Sequence, residues 1–180
     1  MGLTHDWGST ADERGDTYPC DPLLQDPDLV LHRAIDVDAP PAICFRWLCQ
    51  LRAAPYSYDW IDNWGRRSPP VLTPGLEQLE VGQRVMHIFR LASFETDRHL
   101  TLSLDDRASA RVFGRIAVTY LVRARESGAR LIVRLCVERP SGVTRWLSFA
   151  LPAGDLVMMR RQLLNLKALA ERSASHAAAL

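Results

Sequence analysis

The sequence predicts an α+β domain in which a curved antiparallel sheet lies against one long amphipathic helix near the C-terminus. Between Gln83 and Arg139 the apolar residues recur with a period of two, the spacing of a strand with two unlike faces. Leu156, Met159, Leu163, Leu166 and Ala170 then follow i, i+3, i+7, i+10, i+14, one stripe on a helix. The chain has 180 residues, of which 47% are apolar and 24% charged. At that size, folding buries roughly 70% of the unfolded surface, enough for one core without staples.

The elements follow in chain order. Residues 1–28 are rich in Asp, Pro and Gly and read as an extended acidic leader with turns, anchored by Trp7, Tyr18 and Leu23-Leu24. Residues 29–38 read as a strand. Pro40-Pro41 opens a helix, since proline suits the first helical turn. Ile43, Trp47 and Leu51, at fourfold spacing, make that helix amphipathic to residue 51. Tyr56, Trp60 and Trp64 stand at i, i+4, i+8 and would share one face of a short helix. Strands are expected at 84–91, 95–104, 111–125 and 130–139, with a hairpin turn at 126–129. In the last two, Ile116, Val118, Tyr120 and Val122 and Leu131, Val133, Leu135 and Val137 form apolar rows, and Arg115, Arg123, Arg130 and Arg134 take the opposite, wet face. A short segment is expected at 146–151. The long helix spans 154–172, with Asp155 near its start and Arg172 near its end, as its dipole favours. Residues 173–180 should fray. The single domain therefore covers 29–172.

Net charge is +1, but it is unevenly spread. Residues 1–80 hold 6 arginines against 13 acids, and residues 81–180 hold 15 arginines and Lys167 against 8 acids. The cations are dispersed, with no run longer than Arg66-Arg67 or Arg160-Arg161, which argues against a nucleic-acid face. The two halves are expected to attract each other, with the leader lying on the basic face of the sheet. Cys20, Cys44, Cys49 and Cys136 form no C-x-x-C, and Cys44 and Cys49, five apart, diverge on a helix. They read as small buried hydrophobes in a reducing cytoplasm. The five histidines show no ligand spacing, so no metal and no cofactor are expected. No stretch is long and apolar enough for an integral membrane segment, and residues 1–14 lack the basic start and apolar run of a secretory signal.

Several stretches together carry a family resemblance. They are Trp7-Gly8-Ser9-Thr10 with Glu13, Arg33-Ala34-Ile35 leading to Ala39-Pro40-Pro41, Trp47-Leu48-Cys49-Gln50 and Tyr56-Ser57-Tyr58-Asp59-Trp60. Val81-Gly82, Gly128-Ala129-Arg130-Leu131 with Arg134, and Met159-Arg160-Arg161-Gln162-Leu163-Leu164 ending at Ala170-Glu171 complete the set. In this order and spacing the chain resembles the START-like, or SRPBCC, superfamily, also called Bet v 1-like. It is most similar to a bacterial branch of its polyketide cyclase/dehydrase and lipid-transport group. The resemblance implies a helix-grip fold with a cavity between sheet and helix. It carries no common catalytic set, so the catalytic residues stay unassigned.

The expected cavity lies between Leu156, Met159 and Leu163 of the helix and Ile116, Val118 and Tyr120 of the sheet, with Trp60 near one opening. Tyr56 and Trp60 offer large rigid apolar area with a polar tip, suited to a gate, and equally to packing the short helix on the sheet. His87 shares a period-two face with Val85 and Phe89 and is expected to point inward. Tyr120 brings a hydroxyl into an apolar row, where it needs a partner. Glu95, Asp97 and His99 fall on the wet face. The candidate ligand-binding residues are thus Tyr56, Trp60, His87, Val118, Tyr120, Met159 and Leu163. Three functions fit: binding or carriage of a hydrophobic small molecule such as a lipid or polyketide, a cyclase or dehydratase acting in the same cavity, and a protein-interaction module using the sheet's outer face. Binding is favoured because no acid–base pair converges in the apolar rows.

Overall fold

In the computed structural model, residues 4–104, 110, 114–138 and 151–178 are described. The strands are β1 (Asp6–Trp7), β2 (Leu29–Val37), β3 (Arg84–Val85), β4 (Phe89–Glu95), β5 (His99–Leu104), β6 (Arg115–Arg125) and β7 (Gly128–Glu138). They form one sheet in the order β1-β2-β7-β6-β5-β4-β3, antiparallel except for the β1–β2 pair. The helices are α1 (Ala11–Gly15), α2 (Pro41–Cys49), α3 (Asp59–Asp62) and α4 (Leu151–Ala178). Helix α4 lies on one face of the sheet beside α2, which is the helix-grip architecture.

The alternation read in β6 and β7 fixes their faces. Ile116, Val118, Tyr120 and Val122 stand opposite Val137, Leu135, Val133 and Leu131, and these rows continue into Leu104, Leu102 and Leu100 of β5. This inner face joins Phe45, Trp47 and Leu48 of α2 and Met159, Leu163, Leu166 and Ala170 of α4 in one core. Pro41 occupies the first turn of α2, where its missing N–H costs nothing. Gly128 closes the β6–β7 hairpin at φ +106°, and a Cβ there would lie 2.3 Å from the Val37 carbonyl oxygen.

The outer face differs from the wet surface expected. Arg123, Arg130 and Arg134 do point outward, but so do Ala117, Ile132 and Cys136, and these are buried under Tyr18, Cys20 and Leu24. The leader is therefore folded rather than extended. A capping box starts α1: Glu13 N–H donates to Thr10 Oγ1 and Thr10 N–H donates to Glu13 Oε2. Gly8, at φ +74°, lets the chain turn against β2, since a Cβ there would stand 2.1 Å from the Ala34 carbonyl oxygen. The charge asymmetry is realised as contact. Arg123 pairs with Asp16, Arg130 with Glu13 and Asp36, and Arg134 with Asp21. Arg115 pairs with Glu138 along the sheet itself.

Two expected strands are each interrupted. Met86 and His87 take left-handed backbone, at φ +45° and +64°, and split 84–91 into β3 and β4. Asp97, at φ +61°, turns the chain between β4 and β5. Helix α4 begins earlier and runs further than the apolar stripe marks, to Ala178. Beyond the stripe, Ser173 Oγ accepts a hydrogen bond from Trp47 Nε1. The segment expected at 146–150 and the start of the strand expected at 111–113 lie outside the described residues.

Candidate functional site

The inner face is apolar in successive rows, crossed by one polar line. Leu29, Val137, Ile116 and Leu104 form one row, and Leu31, Leu135, Val118 and Leu102 form the next. The third row reads Arg33, Val133, Tyr120, Leu100. Helix α4 meets that third row with its own polar residues. Asp155 accepts a 2.8 Å hydrogen bond from Arg33 Nη2, and Gln162 Oε1 accepts a 2.7 Å hydrogen bond from the Tyr120 hydroxyl.

Each of these groups is held from several sides. Arg33 is 1% exposed. Its Nη1 donates to the carbonyls of His5 and His32, and its Nη2 donates to that of Thr4 as well as to Asp155. Its Nε meets no partner among the described residues. Burial pushes the Asp155 carboxyl up to about 6, although the guanidinium of Arg33 opposes the shift. Gln162 Nε2 donates to the Pro55 carbonyl at 2.6 Å, tying the segment after α2 to the long helix. Asn165 Nδ2 does the same at the Tyr56 carbonyl, 2.8 Å away. Burial, more than any charge, raises the Tyr120 hydroxyl well above the tyrosine range.

The candidate residues divide. Val118, Tyr120, Met159 and Leu163 come together on the inner side, buried in one core. Tyr56 joins them, with its ring edge-on to Trp47 at 6.0 Å and its hydroxyl buried without a partner among the described residues. Burial, and then Asp59, push that hydroxyl up to about 12. Trp60 does not join them. It is 76% exposed, and Trp64 is 88% exposed. Helix α3 is a single turn, and left-handed backbone at Tyr56 (φ +56°) and Trp64 (φ +53°) breaks the periodicity on both sides. His87 is also exposed, because the turn at Met86-His87 throws it off the strand face expected for it. His99 lies on the outer face, as its alternation requires.

Sequence reasoning missed Arg33, Asp155 and Gln162. In the sequence, Arg33 reads as a flaw in an apolar row and Asp155 as a helix-dipole residue. The parity of Arg33 with Leu31 and Ile35 puts all three on one face, but the pairing of Arg33 with Asp155 across to helix α4 carries no signal in the sequence. The arrangement offers an apolar surface bounded by a cation–carboxylate pair and a hydroxyl–amide pair. Asp155 is bonded to Arg33 and the Tyr120 hydroxyl to Gln162, so each polar group of this line has a partner within the protein.

Replacing Tyr120 by Phe is expected to cost about 1–2 kcal/mol, because Gln162 Oε1 then stays buried without its donor. Adding Gln162→Met should recover little, since Gln162 also secures Pro55. Urea unfolding of the two variants checks both statements.

No family model matches the chain, and no curated protein matches it. Among solved structures it is similar to protein MLL2253 from Mesorhizobium loti, at 17% identity over 79% of this chain and 97% of that one, with a TM-score of 0.50. It is similar in the same measure to the KanY protein in solution: 17% identity, 79% and 97% coverage, TM-score 0.50. These likenesses are of fold.

Proposed function

We propose that this protein, which has the START-like helix-grip fold, binds or carries a hydrophobic small molecule between the inner face of its sheet and helix α4. One observation carries the reading: two full rows of aliphatic side chains, Leu29 to Leu104 and Leu31 to Leu102, face inward next to a line of only a few polar groups. Ligand sites are typically apolar and concave, with a small number of placed polar groups. A lipid or a polyketide-like chain suits such a surface. Carriage is favoured over cyclisation because the Tyr120 proton is committed to Gln162 and the Asp155 carboxylate to Arg33. The third reading loses part of its surface, since the leader covers Ala34, Ala117, Ile132 and Cys136 of the outer face. No helix among the described residues is long and apolar enough to cross a membrane. All four cysteines are free and buried, which agrees with the cytoplasmic location proposed here.

The test uses a fluorescent fatty-acid probe and two variants. Ile116 is only partly buried at the edge of the apolar rows, so Ile116→Trp should fill ligand space, abolish probe binding and leave the melting temperature within a degree or two. Leu163 is fully buried where α4 meets the sheet, so Leu163→Trp should overpack and cost about 1–3 kcal/mol. A wild type that binds no probe, or an Ile116→Trp protein that binds it unchanged, overturns the proposal.

A further inference from the structure

Away from the inner face, the leader brings two thiols together beneath it. Cys20 stands just before the turn Asp21–Leu23, and Cys136 points outward from β7, between Val30 of β2 and Ala117 of β6. Both are buried. Their sulfurs and a carboxylate oxygen of Asp21 all lie within 4.8 Å of one another. Cys44 and Cys49 belong to the other core, on α2. From this placement we propose that Cys20 and Cys136 form a reversible disulfide that staples the leader to the outer face of the sheet.

The surroundings favour this chemistry over a metal. Asp21 Oδ1 already forms an ion pair with the Arg134 guanidinium, 2.7 Å from Nε, so its charge is matched and a cation would have to enter beside that guanidinium. That guanidinium instead suits a thiolate. Arg134 lies two residues before Cys136 on the same outward face of β7, and the Cys20 thiol donates to the Arg134 carbonyl at 3.7 Å. Beside that guanidinium, Cys136 is the attacking sulfur and Cys20 the resolving one.

With a peroxide as oxidant, the Cys136 thiolate attacks one peroxide oxygen and the O–O bond breaks. The departing hydroxide takes a proton and leaves as water, and Cys136 becomes a sulfenic acid. Cys20 then attacks that sulfur, the S–S bond forms, the S–O bond breaks, and the Cys20 proton leaves with the oxygen as a second water. Two thiols and one peroxide give one disulfide and two waters. Because both thiols are covered, the oxidant reaches them when the leader lifts. Lifting is a local opening that salt should promote, since the ion pairs Arg130–Glu13 and Arg134–Asp21 help to hold it down.

The experiment treats the full chain with hydrogen peroxide at low and at high salt, blocks remaining thiols, and maps the peptides. A Cys20–Cys136 cross-linked peptide should dominate over any pairing with Cys44 or Cys49, form faster at high salt, and vanish with a phosphine reductant. Amide exchange in residues 10–28 should slow by roughly tenfold on oxidation, as expected when an opening segment is tethered. Cys20→Ser should abolish both changes. If that variant fails to fold, the wild-type map and its reversal still decide. Oxidation that appears as sulfinic acid on either residue, or as pairs with Cys44 or Cys49, without the Cys20–Cys136 peptide, overturns the proposal.

Discussion

Removal of residues 1–28 is expected to leave the rest of the chain largely unfolded or aggregated at room temperature. Tyr18 and Leu24 bury large side chains against the outer face. At about 1.5–3 kcal/mol for each large apolar side chain, these two alone contribute roughly 3–6 kcal/mol. The deletion also uncovers Ala117, Ile132 and Cys136 and strips Arg130 and Arg134 of Glu13 and Asp21. The Arg123–Asp16 pair matters least, because both partners are more than a third exposed and such pairs contribute between nothing and about 1 kcal/mol. A domain near the lower end of ordinary stability, about 5 kcal/mol, cannot lose the apolar contribution, uncover this surface and remain well folded. Salt added to the full chain should therefore lower the urea midpoint only slightly, whereas the deletion should abolish a cooperative transition. A truncated chain that unfolds at the full-length midpoint would show that the cover over the outer face is energetically empty.

The contrast between these two effects also explains what could be read from the sequence. The period-two rows of β6 and β7 and the stripe on α4 were legible because each side chain reports its own face. The charge balance indicated that the acidic leader would meet the outward arginines, and Glu13, Asp16 and Asp21 do so. The apolar half of that contact was not legible. Ala117, Ile132 and Cys136 are interleaved with arginines, and alternation separates two faces without saying what covers the second. The inward placement of Val118, Tyr120, Met159 and Leu163 was legible because the strands and helix that carry them are regular. It failed where non-glycine residues adopt left-handed backbone. Nothing in Tyr56, Trp64 or Met86 announces a positive φ, because residues of these types seldom take one. Each such turn reset the phase of the pattern: His87 lies outside instead of pointing inward, and Trp60 and Trp64 are exposed instead of sharing a face with the buried Tyr56.

Arg33→Met is expected to be the most damaging single substitution on the inner face, at about 3–5 kcal/mol at neutral pH, because it leaves Asp155 buried as an uncompensated charge. The double variant Arg33→Met, Asp155→Leu should recover most of that loss and can match the wild type, since an apolar pair of similar volume avoids desolvating two charges. The pair also makes stability depend on pH in a direction unusual for a salt-bridged acid. Burial outweighs Arg33, so the folded Asp155 carboxyl titrates near 6, above its unfolded value of about 3.9. Between these values the folded state holds more protons than the unfolded state, so this group's contribution falls as pH rises. It is unpenalised below about pH 4, and near pH 6 and above it subtracts about 3 kcal/mol. Asp155→Asn should flatten this part of the profile, and Arg33→Met should steepen it, because the remaining carboxyl then loses the only group that held its shift down. Urea unfolding of the four proteins across pH 4–7 separates the cases. A wild type whose stability climbs with pH through that window, with Asp155→Asn removing the climb, would mean that the attraction of Arg33 outweighs the burial of Asp155, and that the polar line on the inner face stabilises the fold by its charge.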